Sequence, residues 1–390
     1  MADGFRRTVA RPTVSGWTGG DIAPMPVFRM TTVPGIAVLA VAVGLAAALF
    51  AEGRSDRAAA DRIAALAEAG YCGAARDRLA AFRETCGDSA LVRRLRSEIA
   101  FHHGDAASAR RHLDEALDAD AGDARTHWLL ARVLGVQARK ANMVRRIWLV
   151  RRGFDHLDHA IALDSAFTRA RQDRLQALLL VPGWLGGSVE AARAEARHLA
   201  ALDPWEGGKA WARFYRMTGR PDSAVAVYRE ALRRYPDDPQ FRLGLAESWR
   251  DMGRIDSALA VCRMARGVAL PEQVLLHAAL LDGRGAHVAA ESLRVALADR
   301  HPGHVGAALA LAAAAERSGR HLAAARAALH SLLDPERCRH AGPSPAELWY
   351  RLGRLEASDG MPIAARRCFR NALRADPGFQ PARRALNPPR

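Results

Sequence analysis

The sequence predicts an all-α protein, a right-handed superhelical solenoid of antiparallel helix pairs preceded by one N-terminal apolar helix. Three observations predict it. A unit of about 34 residues recurs from near residue 56 to near residue 379. Alanine and leucine dominate while β-branched runs are scarce, and no alternating strand pattern appears after residue 55. A compact single core would be unusual at 390 residues, whereas a solenoid grows by adding neighbours and needs no second globular domain.

Residues 1–32 read as a disordered basic tail carrying Arg6, Arg7, Arg11 and Arg29. Val33 to Ala51 follows, nineteen residues without a charge, just long enough for a spanning helix. A cleaved signal peptide is the rival reading. Val33 to Leu45 would be its apolar core, and Ala46-Ala47-Ala48 satisfies the small-x-small cleavage rule. The arginines before the segment favour a cytoplasmic N-terminus, and Arg54, Arg57 and Arg62 pull the other way. Long domains translocate largely regardless of charge. The expectation is therefore a single-pass inner-membrane anchor with the repeats in the periplasm, or a periplasmic protein if the segment is cleaved.

The repeated unit occupies residues 56–379, about nine times over. Gly70, Ala75 and Leu79 mark a degenerate copy, and Gly104, Ala109, Leu113 and Ala116 a clearer one from Ala90. A unit from Trp205 carries Tyr215, Gly219, Ala224, Tyr228, Ala231 and Pro236. One from Pro239 carries Leu245, Trp249, Gly253 and Ala258, with Cys262 at a usual aromatic position. Units from about Leu270 and Val305 are weaker. The last is the most regular. Trp349, Leu352, Gly353, Gly360, Ala365, Phe369, Ala372 and Pro377 fall at positions 4, 7, 8, 15, 20, 24, 27 and 32 from Ala346. Small residues at 353 and 365 let two helices approach, Gly360 permits the turn, and Pro377 ends the second helix. Residues 380–390 read as a C-terminal tail.

Those eight positions in one register resemble the tetratricopeptide repeat. The resemblance implies protein binding along a groove lined by the first helix of each unit, through positions 2, 5, 9, 12 and 13. It places Lys209, Arg213, Arg216 and Met217 there, then Leu243, Glu247, Arg250 and Asp251, and in the last unit Glu347, Tyr350 and Arg354. Family members that hold a C-terminal carboxylate place Lys at position 5 and Asn at position 9. Lys209 fits that pattern and Arg213 departs from it. Adjacent cations on a rigid surface suit an acidic segment of a partner.

The formal net charge is +15, and only Lys140 and Lys209 are lysines. Acids interleave with the arginines along most helices, which argues against a nucleic-acid binder. One stretch is different. Between Asp123 and Asp155 there is no acid, while Arg125, Arg132, Arg139, Lys140, Arg145, Arg146, Arg151 and Arg152 contribute +8. About eighteen extra residues near 136–152 interrupt the repeat here. Met143, Val144, Ile147, Trp148 and Val150 add apolar groups, so the insertion suits anionic headgroups or an acidic partner, or is a wet arginine face with Ile147 and Trp148 docked on the solenoid.

Val181-Pro182-Gly183-Trp184-Leu185-Gly186-Gly187-Ser188 replaces a usual short turn, and with Leu134-Gly135, Leu163-Asp164 and Leu202-Asp203-Pro204 resembles a bacterial subtype of tetratricopeptide protein. No Lys-Ser or Lys-Thr follows these glycines and no strand precedes them, so a structural turn is expected rather than a phosphate cradle. His156 and His159 share a helix face without a third ligand and read as surface histidines. The five cysteines are scattered. Cys262 reads as an inert core thiol, and a Cys338–Cys368 bridge is conceivable if the repeats are exported. No catalytic pattern and no cofactor motif is present. The expectation is a non-catalytic scaffold for a protein partner, with the membrane engaged through residues 33–51. Its alternative is a cytoplasm-facing adaptor using the basic 125–152 stretch on anionic membrane or nucleic acid.

Overall fold

The computed structural model describes residues 56–69, 71–264, 269–334 and 342–387. The expected tail over 1–32 and the apolar segment over 33–51 lie outside them, as do Cys338 and His340. Among the described residues there are nineteen α-helices, one 3-10 turn and no strand. No helix there is long and apolar enough to cross a membrane.

The helices form nine antiparallel pairs and a terminal cap. In order they are α1 (56–68) with α2 (Cys72–Cys86), α3 (Ala90–His102) with α4 (Ala106–Ala119), and α5 (Ala124–Lys140) with α6 (Met143–Leu163). Then come α7 (Thr168–Leu180) with α8 (Val189–Leu202), α9 (Pro204–Met217) with α10 (Pro221–Arg234), and α11 (Pro239–Asp251) with α12 (Ile255–Arg263). The last are α13 (Pro271–Gly283) with α14 (His287–Arg300), α15 (Val305–Ser318) with α16 (Leu322–Leu332), and α17 (Pro345–Ser358) with α18 (Pro362–Ala375). Residues Gln380–Leu386, expected as tail, instead form α19. Its Ala382 and Leu386 cover the apolar faces of α17 and α18 that would otherwise meet water.

Local chemistry sets the boundaries. Asp238 caps α11 by accepting from the Gln240 and Phe241 amides at 2.8 and 3.0 Å, and Pro239 stands at its first position. Asp203 and Pro204 open α9 the same way. Gly219, Gly253 and Gly360 take left-handed φ of 73°, 72° and 72° at one equivalent turn, a conformation glycine adopts without strain.

The core is a string rather than a ball. Successive clusters run from Ala60–Ile99 through Phe101–Ala170, Leu175–Phe214, Ala212–Leu280 and Ala298–Cys368 to Ala365–Ala382. Each pair buries its apolar face on its neighbours. First helices also meet first helices: α7 touches α9, α9 touches α11, α11 touches α13, and α13 touches α15. That closer approach puts the first helices on the inner side of the stack.

The extra residues near 136–152 do not make a separate element. They lengthen α5 to 17 residues and α6 to 21, joined by a tight turn at Ala141–Asn142. Asn142 caps α6 by accepting from the Arg145 amide at 3.0 Å. Buried Leu149 seals this long hairpin, while Trp148, expected to dock, stays 46% exposed with the Arg110 and Arg152 guanidiniums over its ring. Beyond α7 the chain folds back through Pro182 and a 3-10 turn over Gly183–Leu185. A side chain at Gly187 would fall on the Val181 carbonyl, and Ser188 caps α8 by accepting from the Ala191 amide at 3.1 Å. These glycines build a turn.

Candidate partner-binding groove

The inner helices leave an open groove of about 620 Å³ across α9, α11 and the start of α13, with Gln176 of α7 at one end. Lys209, Arg213 and Arg216 line it together, since spacings of four and three residues share a helix face. Packing beneath fixes the helix that carries them. Ala212 and Phe214 are buried, and Trp205 donates from Nε1 to Asp238 of the next pair at 2.7 Å.

The structure divides these three cations. Lys209 lies 3.8 Å over the Trp205 ring and 3.4 Å from Glu206. Arg216 donates to Glu247 at 2.5 Å and to Asp251 at 3.1 Å. Burial works against its charge, yet Glu247, Tyr228 and Asp251 more than offset that and raise its pKa. Acids of the same chain thus already balance two of the row. Arg213 differs, being exposed and donating to the neutral amide oxygen of Gln176 at 3.1 Å.

The other expected groove residues separate. Arg250 is exposed and pairs with its neighbour Asp251 at 2.7 Å. Arg354 pairs with Glu316 of α15. Tyr350 is half-buried. Its ring packs 5.7 Å from Phe369 and 5.7 Å from Phe379, because the chain leading into α19 folds over it. On the hairpin tip Arg139, Lys140, Arg145, Arg146, Arg151 and Arg152 are all exposed. Arg146 is also tied down, donating to the Ala138 and Ala141 carbonyls at 3.1 Å each and so closing the C-terminal end of α5.

Two stretches of the chain match a known repeat. The sequence pattern of the tetratricopeptide repeat fits residues 205–248, and again residues 346–379. Both stretches are tetratricopeptide repeats. The first spans α9, α10 and most of α11, so the cationic row lies on a recognised repeat, and the second spans α17 and α18. No curated protein matches the chain. Solved structures similar to it include yeast Tom70, at 17% identity and a TM-score of 0.43, covering 76% of this chain and 67% of that one. PilW, a type IV pilus biogenesis factor, shows 15% identity and a TM-score of 0.38 over 57% of this chain and 98% of its own. A tetratricopeptide repeat protein from Parabacteroides merdae shows 15% identity and 0.32, over 77% and 98%. Likenesses this distant say nothing about partners.

Sequence reasoning missed one polar cluster beside the repeats. His156, expected at the surface, is buried, and its Nδ1 lies 3.0 Å from Nδ1 of His127. The His127 Nε2 donates to the Ala121 carbonyl, so its Nδ1 accepts and His156 donates. His159 stacks on His127 with ring centroids 5.3 Å apart. Burial, with His127 and Arg152 near, pushes the His156 pKa down to about 4, and burial also lowers that of His127. Among the described residues no group of His, Cys, Asp and Glu could hold a metal ion. Cys368 is a free, buried thiol, and Cys338, named with it as a conceivable bridge, lies outside the described residues. Cys262 is free and buried too, and burial pushes its pKa up to about 11.

Proposed function

We propose that the chain is a non-catalytic scaffold whose inner groove, from α7 to α13, holds an extended or helical segment of a protein partner. The observation that carries this reading is Arg213. It is an exposed cation on a recognised repeat, held among the described residues by a neutral amide alone and facing open space, so an incoming carboxylate finds a donor fork with no acid of those residues to displace. The test crosslinks the full chain from Leu243 in its own cell and identifies the partner captured. Arg213→Gln should reduce that capture, more so at low salt, with melting unchanged. Undiminished capture would move recognition away from the groove.

We further propose that residues 33–51 tether the scaffold to the inner membrane, that the repeats face the periplasm, and that the partner is an envelope protein. The uncharged run of nineteen residues supports the tether. A retained span resists carbonate extraction and keeps the mass of the full chain, whereas a soluble species beginning near Glu52 would mean cleavage. A second reading, a cytoplasm-facing adaptor on anionic membrane, draws support from the exposed Met143, Val144 and Trp148 among the arginines of the hairpin tip. A reporter fused after Arg390 separates the two, since activity only in the cytoplasm refutes the periplasmic reading.

A further inference from the structure

A second, larger cavity lies beside the cationic row, under the overhang of the long α5–α6 hairpin. It measures about 910 Å³, and Leu149, Val150, Phe154, Leu157, Leu180 and Leu185 form much of its wall. It exists because α5 and α6 outrun α7, which stops at Leu180, so their apolar faces are left without a covering helix. Leu180 is 64% exposed there.

Two helical glycines border this space. Gly135 lines it on α5 and Gly153 on α6. A β-carbon at Gly135 would meet nothing within 4 Å, and one at Gly153 only ordinary contact, 3.8 Å from the Ala131 carbonyl. Neither glycine is needed for close helix packing, and each weakens its helix relative to alanine. Their effect is open volume along an apolar wall.

The charge at this cavity is mostly positive. Arg132, Arg139 and Arg146 border it, against a single acid, Asp173. Asp173 is engaged, accepting from Trp128 Nε1 at 2.8 Å with Arg132 at 3.9 Å. Arg139 is exposed and makes no hydrogen bond or ion pair with any described residue. The groove described above contains Glu247, Asp251 and Glu272 and is mixed in charge. Gln176 borders both spaces and holds Arg213, so the two are neighbours.

We propose that the α5–α7 cavity is the anchor site of the partner-binding groove, and that it takes a protein segment with two or more large apolar side chains next to an acidic residue. The apolar side chains enter beneath the hairpin, and the carboxylate meets Arg139. The rest of the segment continues past Gln176 toward the acids of α11 and α13. This rests on the scaffold reading and fixes the chemistry and direction of what binds. A polar or basic segment would leave the apolar wall uncovered and meet like charge at Arg132, Arg139 and Arg146.

The test selects a displayed library of random twelve-residue peptides on the immobilised full chain. Enriched peptides should carry paired Leu, Ile, Phe or Met beside Asp or Glu. Their affinity should fall roughly tenfold or more in Gly135→Phe, which fills the space one anchor would occupy, and several-fold in Arg139→Gln. Gly135→Ala should fold and bind as the parent does, which separates filling from misfolding. Should Gly135→Phe fail to fold, Arg139→Gln and Ala177→Leu carry the same comparison. Peptides weakened by Arg213→Gln yet indifferent to the cavity variants would overturn this inference and leave the scaffold reading standing. Enrichment of basic peptides, of none, or saturable binding of a fatty acid alone would overturn it too.

Discussion

Gly353 of α17 faces Phe369 of α18 closely enough for a single methyl group to expose the packing of the last repeat. A β-carbon there would lie 2.6 Å from Phe369 Cδ1 and 3.0 Å from Cζ, and closer still to Cε1. Ordinary carbon contacts begin near 3.5 Å, so the ring or the helix must retreat by about 1 Å. The ring has little room, with Tyr350 at 5.7 Å on its other flank and Trp349 against the same cluster. Two terms then compete in Gly353→Ala. Helix propensity favours alanine by about 1 kcal/mol, and overpacking costs about 1–3 kcal/mol. The net expectation is destabilisation of about 1 kcal/mol, confined to the last pair and its cap because each unit touches only its neighbours. Hydrogen exchange read by mass spectrometry should show faster opening over residues 345–386, with 205–264 unchanged as the internal control. Adding Phe369→Leu should cost less in the Gly353→Ala background than in the parent, by about 0.5–1 kcal/mol. Slower exchange in Gly353→Ala would mean that propensity wins and the ring moves aside freely, and the close-approach argument would fail.

Two further outcomes follow from buried titrating groups. His156 is neutral in the fold, with its pKa depressed to about 4 against an ordinary 6.5. The unfolded chain gains protons that the folded chain refuses, so the α5–α6 hairpin should lose stability as pH falls from about 6.5 towards 4. His156→Gln should flatten that profile in denaturant titrations, and an unchanged slope would remove the histidine pair as its cause. Cys262, with its thiol raised to about 11, should resist alkylation at pH 8 in the folded protein and react once denatured. Equal rates in both states would show that the site opens readily.

Most of the architecture was legible because packing writes itself into the sequence at fixed intervals. Gly353 and Phe369 stand where two helices meet, and Gly360 stands where the chain must turn. The cationic row was legible for the same reason. What was not legible came from contacts made across a turn or across a unit boundary. Tyr350 occupies a groove position by register, but Phe379, the last residue of the same repeat, folds back against its ring on the way into α19. Register alone leaves open whether a groove arginine meets an acid of its own chain, and Arg216 does, because Glu247 and Asp251 reach it from the next pair. The His127–His156 contact joins residues 29 apart. Both lie about equally far from the Ala141–Asn142 turn, which is the signal that could have found them once a hairpin replaced the supposed insertion. The cavity had only an indirect sequence signal, the extra residues near 136–152, because it arises from the unequal lengths of α5, α6 and α7.

At the N-terminal end, Arg94 and Arg125 close on buried Glu98, with Asp61 of α1 and Asp123 at the start of α5 completing the set. This cluster ties three successive pairs together. Stacked hairpins of one design present almost interchangeable oily faces, so a chain folding from several starting points can dock a unit against the wrong neighbour at little loss. A buried charge is far less forgiving, because a misplaced partner leaves it bare in a dry contact. Trp128 with Asp173 and Trp205 with Asp238 repeat that demand farther along with neutral donors. The polar contacts between pairs therefore act as addresses. They fix which unit follows which, and so set the order in which the groove's arginines and acids are displayed.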